Sequence, residues 1–195
     1  MSTRAETGLT PAPTETNLRE AALRHLARYA ATEARLTLIL QRRVARWARA
    51  AEAAGAPPDE VAETARKARA AATHVVAKLA EAGVVSDEGF AEARVRRLRR
   101  GGKSAMAMRA HLLARGVEAP LARAASEGDA DSELAGALMV LRRRRAGPFA
   151  EIVDPEARRR ALAALARAGF TRAVAEAALR TGRDDAEARI ARLRE

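Results

Sequence analysis

A short pattern occurs twice in the chain, and this repetition constrains the fold more than any other feature. In each copy an apolar residue precedes a glycine, which is followed by an apolar residue and the start of a second apolar-periodic run. This pattern is typical of a helix that ends at a glycine and a second helix that packs against it. Its recurrence at a fixed spacing predicts a small helical repeat protein. The matched residues are Leu112 with Leu165, Gly116 with Gly169, Val117 with Phe170, Leu121 with Val174 and Ala125 with Ala178.

The rest of the chain also has helical periodicity, because its apolar residues recur every three or four positions rather than every two. We therefore predict an all-α fold, an elongated array of three tandem three-helix repeats that lean on one another. Residues 1–17 are expected to be a disordered N-terminal tail, and residues 18–83 a divergent, extended first repeat. Residues 84–128 are expected to form the second repeat, and residues 129–195 the third repeat plus a C-terminal turn.

Several residues mark where individual helices begin and end. A first helix is predicted from Leu18 to Tyr29, and the chain end is expected to form only a terminal turn or two. Small hydroxyl or carboxylate side chains are predicted N-caps, and glycines are predicted to follow helix ends. The N-caps are Thr32, Ser86, Ser104 and Asp154, and the glycines after helices are Gly55, Gly83, Gly116 and Gly169.

The formal net charge of +11 comes almost entirely from arginine, which suits phosphate or carboxylate partners. Coding bias toward alanine and arginine is an alternative cause of the preference for arginine over lysine. The chain has no cysteine, so disulfides and thiolate metal sites are excluded and a cytoplasmic location is expected. We see no signal peptide and no stretch long enough to span a membrane, and we expect a soluble monomer.

No motif points to catalysis or to a cofactor. The three histidines, His25, His74 and His111, are isolated in sequence, and no Walker-type or dinucleotide-binding glycine loop is present. We therefore predict no metal, no cofactor and no enzymatic activity, so that any effect on ATP hydrolysis would be exerted on a partner. The few phenylalanines are expected mainly in the core rather than in a base-stacking surface.

Two basic clusters are the candidate contact surfaces for a protein or DNA partner. The first follows one helix and its exit loop, and the second lies at a helix C-terminus, where the helix dipole also favours cations. An ordinary solvated helix face is the alternative for the first cluster, and a capping role is the alternative for the second. The candidate residues are Arg94, Arg97, Arg100 and Lys103 in the first cluster and Arg142, Arg143, Arg144 and Arg145 in the second.

The middle of the chain resembles the RecX family. The stretch 79–92, LAEAGVVSDEGFAE, is similar to the family's helix end, glycine, acidic cap and Phe-Ala-Glu signature. Further similarity lies in Gly102-Lys103-Ser104, in residues 112–117 and in residues 165–170. The chain departs from the family pattern at His25, Thr32 and Arg35, and the region 45–70 is stretched and rich in alanine.

The resemblance implies a non-enzymatic regulator that binds the RecA recombinase and the RecA-DNA filament, lodges in the filament groove and alters strand exchange and ATP turnover. It implies a role in homologous recombination, DNA repair and the SOS response. Non-specific contact with single- or double-stranded DNA is a further expectation. The alternative is a tandem helix-turn-helix-like basic DNA-binding protein, although the helices after Gly116 and Gly169 contain few residues able to read base edges.

Overall fold

The computed structural model describes residues 11–151 and 154–194. This part of the chain contains α-helices, one three-residue 3-10 helix at Gly147–Phe149 and no strand, which confirms the all-α prediction. The helices form two compact units, and the boundary falls between Phe90 and Ala91, inside the fourth helix. In chain order the helices are α1 Glu15–Leu26, α2 Glu33–Ala53, α3 Pro58–Glu81, α4 Asp87–Arg100, α5 Ala105–Leu113, α6 Ala119–Ser126, α7 Ala130–Arg143, α8 Pro155–Arg167, α9 Arg172–Arg180 and α10 Arg183–Arg194.

The first unit has its core between α1, α2 and α3. Leu18 of α1, Leu36 and Leu40 of α2, and Val75 of α3 are almost completely buried in one apolar cluster. Helix α2 has 21 residues and α3 has 24. The stretched, alanine-rich region 45–70 therefore lengthens these two helices rather than adding a loop.

Helix α1 begins three residues before the predicted start at Leu18. Thr14 and Asn17 form a capping box, in which the Thr14 hydroxyl accepts from the Asn17 amide and the Asn17 side chain accepts from the Thr14 amide. The helix ends at Leu26 rather than at Tyr29. Of the predicted N-terminal tail, residues 1–10 lie outside the described residues and residues 15–17 belong to α1.

The predicted N-caps and helix-ending glycines of the first unit are confirmed. The Thr32 hydroxyl accepts from the Arg35 amide at 3.1 Å, and the Ser86 hydroxyl accepts from the Gly89 amide at 3.0 Å. Gly83 follows α3 with a φ of +68°, a left-handed conformation that glycine adopts without strain.

The second unit contains the two copies of the sequence repeat, and their helix ends have the same geometry. Gly116 after α5 and Gly169 after α8 both have a φ of +86°. The next amide in each copy donates back to the helix, Val117 to the Leu112 carbonyl at 3.2 Å and Phe170 to the Leu165 carbonyl at 3.1 Å. The sequence repeat is thus a structural repeat of α5–α6 in α8–α9.

Helix α7 contributes more residues to the second core cluster than any other helix. Leu138 and Leu141 are fully buried in one cluster with Phe149, Leu165 and Phe170. The expected core role is confirmed for Phe149 and Phe170, whereas Phe90 is only half-buried.

The C-terminus differs from the predicted turn, because α10 is a helix of 12 residues. Ala186 and Ile190 are buried against the second core, and the pair alone gives a weak apolar signal in the sequence. The helix is also tied to α7 through ion pairs of Glu187 with Arg142 and of Arg189 with Asp131. These contacts join residues far apart in sequence, so the local spacing of apolar residues predicts a shorter helix than the one observed.

Candidate functional site

The four residues of the first basic cluster differ in exposure, because one arginine is half-buried and the other three residues are exposed. Arg94 is half-buried on α4, and its Nε donates to Nε2 of His111 on α5 at 2.7 Å. His111 therefore carries its proton on Nδ1 when neutral. Burial lowers the pKa of His111 below its usual value, and the nearby charges of Arg94, Arg115 and Lys103 lower this pKa further. Arg94 thus joins α4 to α5 through this hydrogen bond.

Three cations of this cluster face solvent at the end of α4. Arg97, Arg100 and Lys103 are exposed, and no carboxylate of the described residues lies within 4 Å of their charged atoms. The other two arginines of this segment have internal partners, because Arg96 pairs with Glu92 at 3.6 Å and Arg99 donates to the Glu127 carbonyl at 2.7 Å. The exposed cations therefore form one group, which we call the α4 surface: Arg97, Arg100 and Lys103.

Two members of the second basic cluster hold the second unit together. Arg142 is half-buried and pairs with Glu187 of α10 at 2.8 Å. Arg143 donates to the Gly101 carbonyl at 3.1 Å, which connects the end of α7 to the loop after α4. Both guanidinium groups have partners within the second unit, and the contact with Gly101 places Arg143 beside the loop that carries Lys103.

The remaining two members, Arg144 and Arg145, line an open groove of about 620 Å³. Arg145 follows the end of α7 with a φ of +49°, the left-handed conformation that is uncommon for a residue with a side chain. The end of α4 has the same arrangement, but with Gly102 at a φ of +72°. The return hydrogen bonds match as well, from Lys103 to Leu98 at 3.1 Å and from Ala146 to Leu141 at 3.0 Å.

Sequence reasoning missed two arginines of this groove, Arg158 and Arg160 of α8. The run Arg158-Arg159-Arg160, which begins three positions after Pro155, was a signal that could have found them. Their proximity to Arg144 and Arg145 depends on how α8 packs near the end of α7, which the local sequence does not encode.

Within the described ranges no three His, Asp or Glu side chains are grouped closely enough to hold a metal ion. None of the helices over these residues combines the length and the apolar content that crossing a membrane requires.

Comparison with known proteins identifies the family. The chain is 36% identical over 166 residues to a regulatory protein RecX of Myxococcus xanthus (strain DK1622), which covers 83% of each chain. This chain belongs to the RecX family. The family model for the second three-helix domain of RecX matches residues 86–125. That domain spans α4, α5 and α6 and carries the α4 surface.

Solved RecX structures have a similar fold. The crystal structure of RecX from Lactobacillus salivarius matches with a TM-score of 0.59 and 14% identity, over 85% of this chain and 94% of that chain. A second crystal structure, of a regulatory protein RecX, matches with a TM-score of 0.55 and 16% identity, over 84% of this chain and 70% of that one. At these identities the likeness concerns the fold alone, and it agrees with an all-α array of helical repeats.

Proposed function

We propose that this protein binds the RecA recombinase and the RecA-DNA filament and modulates them, most directly by inhibiting recombinase and ATPase activity. In this role it regulates DNA repair and recombination without chemistry of its own. Membership of the RecX regulatory family supports the proposal. The mode of contact is inferred from the basic surfaces of this chain.

The observation that carries the contact proposal is the α4 surface. Arg97, Arg100 and Lys103 lie within the matched RecX domain, are exposed, and have no carboxylate within 4 Å among the described residues. Exposed cations that have no carboxylate partner in their own chain can pair with carboxylates or phosphates of another molecule. The free-energy cost is small, because these cations are only partly desolvated and give up no existing ion pair. They also accelerate association with an acidic surface.

The α4 surface would act mainly on association rate and on salt dependence. Exposed rim charges steer encounter, whereas buried contacts mainly determine how slowly a complex dissociates. A filament offers both acidic protein surface and DNA phosphates, so the same three cations can contact either component. Screening by salt weakens both kinds of contact over a Debye length of about 8 Å at physiological ionic strength.

The helix-turn-helix alternative has weaker support in the residues of α6. Ser126 is fully buried and its hydroxyl donates to the Arg123 carbonyl, so it is turned away from any partner. Arg123 is the one long polar side chain of this eight-residue helix. Readers of base edges normally present several amide or guanidinium groups from one helix, so we retain non-specific DNA contact and not sequence-specific binding.

Binding of the fluorescently labelled protein to preformed RecA filaments on single-stranded DNA tests the proposal, with bare DNA of the same length measured in parallel. We expect tighter binding to filaments, and we expect charge reversal of Arg97, Arg100 and Lys103 to Glu to weaken it by at least about tenfold at physiological salt. The matched control reverses three exposed arginines of α2 and α3, Arg42, Arg49 and Arg69.

Equal binding to filaments and to bare DNA would contradict the proposal and favour the DNA-binding alternative. An equal loss in the control variant would show that total charge, rather than the α4 surface, determines binding.

A further inference from the structure

The groove beside Arg144 and Arg145 has a built apolar floor as well as a basic rim. The floor consists of three alanines on one face of α8 together with Leu179 of α9. These alanines are Ala157, Ala161 and Ala164. The 3-10 helix forms the other side, and its Gly147 packs so closely that a Cβ atom there would lie 2.9 Å from Leu179. The floor is therefore fixed by close packing within the second unit.

The rim is strongly cationic. The described residues that line the groove include four arginines and one acidic residue, Glu151, and Arg160 is already paired with Glu156. For the other three arginines, no carboxylate of the described residues lies within 4 Å. These three available guanidinium groups belong to Arg144, Arg145 and Arg158.

Arg145 is held on this rim at a conformational cost. A left-handed φ costs a non-glycine residue roughly as much as a weak hydrogen bond contributes. The corresponding position after α4 is Gly102, which adopts the same conformation without that cost. Arg145 lines the groove in this strained conformation, and strain of this kind is concentrated at binding sites.

We infer that this groove binds a short acidic segment of a partner protein, in which carboxylates flank an aliphatic side chain. The carboxylates pair with the guanidinium groups of Arg144, Arg145 and Arg158, since arginine matches carboxylate geometry through two parallel hydrogen bonds. The aliphatic side chain occupies the floor formed by Ala161, Ala164 and Leu179. The groove volume of about 620 Å³ falls in the range of specific ligand sites.

A nucleic acid is the less suitable occupant for two reasons. Phosphate contacts need cations but no apolar floor. Base stacking needs aromatic side chains, and the described residues that line the groove include none. An acidic peptide uses both the rim and the floor, as in the recognition of acidic motifs by arginine clusters.

This inference goes beyond the proposed recombinase regulation, because it concerns a distinct surface, and its test contains no recombinase. The probe is a fluorescein-labelled hexapeptide with two central leucines between pairs of Asp and Glu. A second peptide replaces the leucines with serines, and an oligothymidylate of equal charge represents nucleic acid. Binding of each probe to the full chain is followed by fluorescence anisotropy at physiological salt.

Two variants test the contributions of the rim and of the floor to binding separately. Arg145→Gly removes a guanidinium and relieves the left-handed strain, so the variant keeps its fold. Ala157→Met, at a half-buried position of the groove, fills the floor without changing charge. Arg69→Ala, an exposed arginine of α3, is the charge-matched control for Arg145→Gly.

We expect the leucine peptide to bind, with affinity about tenfold lower for Arg145→Gly and for Ala157→Met and unchanged for Arg69→Ala. The serine peptide should bind about tenfold more weakly than the leucine peptide. Equal binding of the two peptides would overturn the inference. It would also be overturned if the oligothymidylate bound as tightly with the same sensitivity to Arg145→Gly, or if the leucine peptide failed to bind.

Discussion

The hydroxyl of Ser104 joins the start of one helix to the end of another. It accepts from the Ala107 amide at 3.2 Å as the N-cap of α5, and it donates to the Ala168 carbonyl at 2.8 Å just after α8. Ser104 is fully buried. One side chain therefore satisfies an amide in the second predicted repeat and a carbonyl in the third.

Replacing this hydroxyl should be more harmful than replacing an ordinary cap. Ser104→Ala removes the N-cap bond and leaves the Ala168 carbonyl without that donor, so we expect a loss of about 2 kcal/mol in the free energy of unfolding. Thr171→Ala is the matched control, because Thr171 caps α9 but is exposed and should cost about 1 kcal/mol. Urea denaturation of both variants measures the difference, and equal losses would refute the bridging role.

Gly169 is predicted to tolerate a methyl group much less well than Gly55. Both glycines have a φ of +86°, so alanine should cost about 1–2 kcal/mol at either position through backbone strain alone. A Cβ at Gly169 would also lie 2.7 Å from the Ser104 Oγ, whereas nothing lies within 4 Å at Gly55. We expect Gly169→Ala to cost about 1–3 kcal/mol more than Gly55→Ala. Similar thermal unfolding shifts in the two variants would show that this close approach is not maintained.

Arg145→Gly should separate stability from binding. Glycine relieves the left-handed strain but adds freedom to the unfolded chain, so we expect stability to be unchanged or to rise by up to about 1 kcal/mol. A stability loss above about 1 kcal/mol in urea denaturation would show that the Arg145 side chain supports the fold rather than the groove.

The burial of His111, together with the nearby charge of Arg94, predicts that stability depends on pH. Because the folded protein lowers the pKa of His111, the folded state binds this proton less readily than the unfolded state. The resulting contribution to stability is present above the ordinary histidine pKa of about 6.5 and is lost as pH falls through the lower folded value. NMR titration should give His111 a pKa below that of a free histidine.

The Arg94→Ala variant should raise the His111 pKa only part of the way back, since burial is the largest cause of its lowering. Arg69→Ala serves as the control for a general loss of positive charge. An Arg94→Ala variant whose His111 pKa did not rise would show that this contact has no electrostatic effect on the histidine.

The features predicted from sequence are those with local causes. The caps at Thr32, Ser86 and Ser104 and the paired glycines Gly116 and Gly169 depend on short-range hydrogen bonds and on backbone conformation, so the residue pattern reveals them. The position of the cluster Arg142–Arg145 at the C-terminus of a helix was also predicted from the sequence. Its division into two internal contacts and two groove residues depends on Glu187 and Gly101, which lie far away in sequence.

Features that depend on contacts between residues distant in sequence were not predicted. Arg158 belongs to an arginine run that marks a basic segment, but its position beside Arg144 and Arg145 depends on how α8 packs. Arg94 likewise fits the regular spacing of an exposed basic face, but its contact with His111 withdraws it from that face. The remaining α4 surface is thus smaller than the predicted cluster.

The decisive measurement for the proposed regulation is DNA-dependent ATP hydrolysis by RecA on single-stranded DNA, with this protein titrated below the recombinase concentration. We predict loss of turnover at substoichiometric ratios, because a regulator of the filament affects many recombinase subunits from a few sites. The variant with Arg97, Arg100 and Lys103 reversed should need at least about tenfold more protein for the same loss. Unchanged ATP turnover at equimolar protein, together with retained salt-dependent binding to bare DNA, would contradict the account.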